Sequence, residues 1–125
     1  MREIKFRVWN LDKKQWEDVL KWAIAPEDGS LVDAYEPGIF TIAPFNYEIM
    51  QFTGLKDKDG VDIYENDIIV FDSLPNRKVH IEWRKRDACF NFGGWYENNF
   101  PDTDTNATVI GNIYENPELL ENVDN

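Results

Sequence analysis

His80 and Cys89 are the single histidine and the single cysteine of a 125-residue chain, so they are the natural pair to test for nucleophilic chemistry. A thiol becomes a useful nucleophile when a neighbouring imidazole or cation favours the thiolate. KVHIEW and ACFNF read as a hairpin with Val79 opposite Phe92, Ile81 opposite Phe90 and Trp83 opposite Ala88, its tip running from Arg84 to Asp87. In that register one face is wholly apolar, and His80, Glu82 and Arg84 share the other with Asn91, Cys89 and Asp87. His80 and Cys89 then become diagonal neighbours. No residue is evident to orient the ring or to hold an oxyanion, so an ordinary half-exposed histidine and a small packed cysteine are expected, with no catalytic residue.

A second candidate is GLKDKDGVDIYEND, residues 54–67, which crowds aspartates around a glycine. A calcium loop needs oxygen ligands at its first, third and fifth positions, glycine at the sixth and a bidentate glutamate at the twelfth. Setting Gly60 as the sixth puts Leu55 first and Asn66 twelfth, and the flanks read as strands where the motif needs helices. No metal or other cofactor is expected. Asp59-Gly60 reads instead as a two-residue hairpin turn with positive φ at both positions. Asn66 is placed for the left-handed conformation of a second tight turn, and Asp67 for accepting backbone hydrogen bonds as the next strand starts.

The third candidate is a cluster of bases. Arg77, Lys78, Arg84, Lys85 and Arg86 gather on one stretch, whereas the 39 residues after Arg86 carry eight acids and no base. With the aromatic Trp95 nearby, these are the residues expected to meet a partner, either an acidic protein or a nucleic-acid strand. The plainer reading is a basic hairpin tip that offsets acids of its own chain or of a neighbouring subunit. No Walker loop, dinucleotide fingerprint, zincin helix or nucleophile elbow is present.

These residues must be positioned by strands. Ile4, Phe6 and Val8 alternate with Lys5 and Arg7, the period of two of a half-buried strand. The polar NLDKK that follows reads as a hairpin loop, and QWEDVLKWAIA is compatible with a strand or a short helix. SLVDAY and IFTIAPF are strand candidates between proline and glycine punctuation, and IMQFTGLKDKDGVDIYENDIIVF reads strand, turn, short link, strand. ENNFPDTDTNA is a polar loop before the strand TVIGNIY. Asn116-Pro117-Glu118 reads as an N-cap, a proline at the first helical position and an acid at the positive helix end. The expected fold is mainly β: a small barrel or strongly bent antiparallel sheet with an N-terminal β extension and a short C-terminal helical turn. Residues 1–125 form one domain, with 1–50 and 51–125 as its two sub-lobes.

Composition narrows the function. The net charge of −11 and an aromatic content of 14% describe an acidic protein with enough apolar mass to fold. A whole-surface footprint on nucleic acid or anionic membrane is disfavoured, because phosphates need concentrated positive charge. One cysteine and no apolar leader or span imply a reducing, cytoplasmic setting.

REIKFRVW near the N-terminus, MQFTGLKDKDGVDIYENDII in the middle and VIGNIYENPELL near the end, in that order and spacing, resemble the YopX-like family of phage and prophage proteins. Residues 10–48 and 72–107 match less clearly, and the family pattern has glycine at the place of Asn66. The resemblance implies a mainly β protein with an SH3-like barrel element, found in phages or their chromosomal remnants and able to self-associate. It implies no activity and carries over no catalytic residue. The expected function is therefore a non-enzymatic module that binds a host or phage protein. The alternatives are a nucleic-acid binder using the basic hairpin 77–86 and a metal-assisted enzyme built on His80 and the acid-rich loops.

Overall fold

A computed structural model of the chain describes residues 5–18, 21–25, 29–33, 42–84, 89–91 and 103–120. The strands pair antiparallel, and they fall into two compact units, Phe6–Ile49 and the remainder from Met50 onward joined by Lys5. No helix among the described residues is long and apolar enough to cross a membrane.

In the smaller unit, β1 (Phe6–Asn10) turns back into β2 (Gln15–Trp16), with Trp9 opposite Trp16 and their rings edge-on at 4.8 Å. The turn is made by Asn10, whose side-chain oxygen accepts the N–H groups of Asp12 (3.0 Å) and Lys13 (2.9 Å), while Lys14 takes a left-handed φ of 55°. An asparagine side chain mimics a backbone turn in this way. Residues 15–25, which the sequence left open between strand and helix, supply β2 and β3 (Trp22–Ile24), with residues 19–20 outside the described set. β3 pairs with β4 (Leu31–Asp33), and Val32 bridges to Ile42, where the described part of the IFTIAPF segment, residues 42–45, begins. Val8, Trp22, Leu31 and Ala43 form the core, with Phe6, Phe45, Tyr47 and Ile49 packed against it. Asp12 then ties the hairpin to Asn46, whose backbone and side-chain N–H groups hold the Asp12 carboxyl below the usual carboxylate range.

β5 (Tyr47–Lys56) runs from the smaller unit into the larger, where β6 (Asp62–Tyr64) pairs with it. β7 (Asp67–Phe71) is the middle strand of a three-stranded sheet, between β8 (Leu74–His80) and β11 (Ala107–Asn112). β9 (Glu82–Arg84) and β10 (Cys89–Asn91) form a separate two-stranded ribbon. Ile63, Ile69, Phe71, Val79, Ile81, Phe90 and Ala107 make the core, each burial contributing about 1.5–3 kcal/mol for the larger side chains. The polar loop expected before the last strand contains a helical turn, α1 (Thr103–Asn106). A 3-10 turn over Pro117–Leu120 closes the described chain, as the proline and acid at its start anticipate. Asn116 does not cap it with its side chain, which accepts the N–H of Asn112 instead.

Candidate functional site

The acid-rich loop shows where its carboxylates go. Asp57 is only 3% exposed, and its two oxygens accept three backbone N–H groups: Asp59 and Val61 on Oδ1, both at 2.9 Å, and Val109 of β11 on Oδ2 at 3.0 Å. Asp62 is held by Lys5 and Lys56, and Asp59 is exposed. Asp57 and Asp62 therefore face different partners and do not converge on one point. The turn is also not the two-residue type expected from Asp59-Gly60. Gly60 has a φ of 81°, but Asp59 is not left-handed, and the loop spans Asp57 to Val61 with the Asp57 side chain at its centre. Asn66 does take the left-handed conformation, at φ 70°, and Asp67 accepts the N–H of Tyr64 at 2.8 Å.

The hairpin of the basic stretch is present in a different register. Cys89 lies opposite Arg84, Phe90 opposite Trp83 and Asn91 opposite Glu82, a slide of two residues from the expected pairing. Val79 pairs with Ile69 of β7, and Ile81 stands between β8 and β9. There its N–H donates to the Asp67 carbonyl (2.9 Å) and its carbonyl accepts the Asn66 N–H (2.7 Å). Both backbone groups of Ile81 are thus turned towards the start of β7, and the chain bends at this residue into the ribbon. A slide of two preserves the alternation along the strands, so the pattern is compatible with either register although the partners change.

Of the residues singled out in the sequence, Arg77 and Lys78 are half-buried on β8, and Arg84 lies beyond the bend on β9. Lys85, Arg86 and Trp95 lie outside the described residues. Trp83 was expected on the covered apolar face. It is 45% exposed, edge-on to Phe90 with ring centroids 5.0 Å apart. The signal for this was available in the flanks: Trp83 sits between Glu82 and Arg84 at the tip end of the ribbon, where polar residues dominate and Val79, Ile81 and Phe90 already supply the core.

His80 and Cys89 are not diagonal neighbours, since His80 pairs with Ile68 and Cys89 with Arg84. The imidazole instead faces two oxygens, Asn66 Oδ1 at 2.9 Å from Nε2 and Glu82 Oε1 at 3.2 Å from Nδ1. Burial lowers the proton affinity of the ring below that of an ordinary histidine, and Glu82 opposes that shift. Among the described residues, this arrangement holds the ring between an amide oxygen and a carboxylate.

Residues 5–121 match a family model described as "YopX protein". Protein EF1440 from Enterococcus faecalis has a crystal structure similar to this chain, with 31% sequence identity, coverage of 97% of this chain and 100% of that one, and a TM-score of 0.61. The crystal structure of protein yopX from Bacillus subtilis is similar at 22% identity, covering 99% of this chain and 100% of that one, with a TM-score of 0.57. No curated protein matches the sequence.

Proposed function

Because the chain belongs to the YopX family, we propose that it is a phage or prophage accessory protein that works without catalysis, by gripping a host or phage protein. The observation that carries this reading is Trp83, a large aromatic left 45% exposed on β9 and followed directly by Arg84 at the start of the basic tip. Tryptophan and arginine are the residues that most often dominate the energetics of protein interfaces. A rigid ring braced on a buried Phe90 loses little freedom on binding, which favours it as an anchor. The same proposal includes an SH3-like barrel for the larger unit, self-association and a bacterial cytoplasmic setting, the last supported by the single cysteine.

Affinity capture with the tagged full chain from phage-infected or prophage-bearing cells tests the reading. One host or phage protein should be recovered with the wild type and lost with Trp83→Ala. Recovery of nothing but further copies of the chain would overturn it. A nucleic-acid reading draws on Arg77, Lys78 and Arg84 and is opposed by the net charge of −11. Salt-sensitive binding to single-stranded DNA, weakened by Trp83→Ala, would transfer the site to that class.

A further inference from the structure

The bend that launches the β9–β10 ribbon carries a group that can change charge. Asn66, left-handed at φ 70°, donates its backbone N–H to Ile81 (2.7 Å) and accepts the Ile113 N–H (3.1 Å), so the turn between β6 and β7 is fixed at three strands' ends. Its side chain reaches His80 on β8, and His80 reaches Glu82, the first residue of β9. A chain of side chains, Asn66 to His80 to Glu82, therefore crosses the bend at Ile81, beside the backbone bonds that form it. Trp83 is the next residue.

Both ring nitrogens face oxygen atoms. A neutral imidazole has one N–H and one lone pair, so it cannot donate to both; the imidazolium has two N–H groups and can. When the ring is neutral and Nδ1 donates to Glu82, Nε2 is an acceptor, and Asn66 satisfies it only by rotating its amide to present Nδ2–H. When the ring is protonated, Nε2 donates to Asn66 Oδ1 and the Glu82 contact becomes an ion pair. Among the described residues, Glu82 from β9 and Asn66 from the β6–β7 turn face the ring, Ile68 of β7 is its cross-strand neighbour, and Lys78 shares its face of β8. Glu82 itself is about half exposed, so its carboxylate can be released to water when the ring loses its charge.

We propose that Asn66, His80 and Glu82 form a proton-operated clasp at the root of the ribbon, closed on Glu82 when His80 is charged and loosened when it is neutral. The clasp rests on the reading of Trp83 and Arg84 as the binding surface, and it regulates that surface by setting the charge next to it: closing neutralises the one acid at the start of β9 and leaves the ribbon root more positive. An acidic partner is then held more tightly on the acid side of the transition.

The test is a pH titration of the full chain by nuclear magnetic resonance, without any partner. His80 is the single histidine, so its ring signals are unambiguous. The Asn66 side-chain amide and the Trp83 backbone amide are expected to move with the same midpoint as the His80 ring. Glu82→Gln, at an exposed position, is expected to shift that midpoint further down by removing the carboxylate that opposes burial. Asn66→Gly retains the backbone conformation and is expected to change the midpoint while leaving the chain folded. Asn66 and Trp83 amides that stay still through the His80 transition, or a midpoint that Glu82→Gln does not move, would overturn the clasp. Because no partner is present, that result is independent of whether Trp83 captures a protein, and loss of capture at fixed pH would leave the clasp intact.

Discussion

Asp57→Ala is expected to destabilise the larger unit by about 3 kcal/mol. The figure follows from where the three accepted N–H groups lie. A net hydrogen bond to a charged group contributes about 1.5–3 kcal/mol. The Asp59 and Val61 amides belong to exposed residues, so water replaces much of what they lose. The Val109 amide belongs to a half-buried residue of β11 and is bonded across 52 positions of sequence, so it loses most of its contribution and takes with it the tie between the loop and the sheet. Removing a carboxylate that is itself buried returns part of its desolvation cost, which keeps the total at about 2–4 kcal/mol. For a urea slope of about 1–3 kcal/mol/M, a loss of about 3 kcal/mol lowers the midpoint by about 1–3 M, and the Val109 amide loses protection from hydrogen exchange. Asp57→Asn is informative because it has the same shape. With its oxygen on Asp59 and Val61, its amide nitrogen meets the Val109 N–H, donor against donor, so it is expected to recover little. A cost under about 1 kcal/mol for alanine, or full stability for asparagine, would refute the claim that this carboxylate locks the loop to β11.

Gly111→Ala is expected to cost about 1–3 kcal/mol, since a Cβ there would lie 2.5 Å from Asn116 Oδ1 and 2.9 Å from Leu119 Cδ1; adding Asn116→Ala should relieve part of it in a double-mutant cycle read by urea unfolding. Asn66→Ala is expected to be about 1 kcal/mol less stable than Asn66→Gly, because φ 70° strains a residue bearing Cβ and not glycine; equal midpoints would count against that strain. For Asp62, burial raises the carboxyl, but the bonds and charges of Lys5 and Lys56 outweigh it and hold it below its ordinary value of 3.8. Its folded value is thus lower than its unfolded one, so its stabilisation is present above pH 3.8 and lost as pH falls through the folded value. Asp62→Asn should flatten stability against pH in that acid window, and an unchanged slope there would refute the ion pairing. Millimolar Ca²⁺ is expected to leave the melting temperature unchanged, because Asp57 and Asp62 already face other partners; a saturable rise would show a site on this loop.

What could be read from the residues, and what could not, divides along the range of the interaction. Period-two patterning is local and found β1, and β7 was legible as an apolar run bounded by turn residues. Patterning could not find the register of the ribbon. A slide of two preserves the pattern, so alternation alone does not choose between the expected and the observed pairing. Asn66 was legible because left-handed backbone selects few residue types, and position 66 satisfies that rule by itself. The Asp59-Gly60 turn was misread for the opposite reason. Asp-Gly is a strong local hairpin signal, but the loop is organised by the preceding Asp57, whose third partner, Val109, lies far along the chain. In the candidate site, Arg77, Lys78 and Arg84 were visible as charge, whereas the exposure of Trp83 was not, because alternation puts it on one face with Val79 and Ile81 in either register.

One device recurs through both units. Asn10, Asp57 and Asn112 are all buried, and each accepts backbone N–H groups from residues two to four positions ahead, closing the turn it begins. Asp67 does the same in reverse, accepting from Tyr64. A short polar side chain buried with its acceptors filled is costly to replace by an apolar one, since the turn amides would be left without partners. Within the segments rich in aspartate, asparagine and glycine, residues 54–67 and 110–117, Asp57, Asp67, Asn112 and Asn116 give side-chain oxygens to backbone N–H groups, whereas Asp62 meets two lysines and Asn66 meets His80. Trp83, the exposed aromatic proposed above as an anchor, lies one residue beyond Glu82, whose contact with His80 spans Ile81.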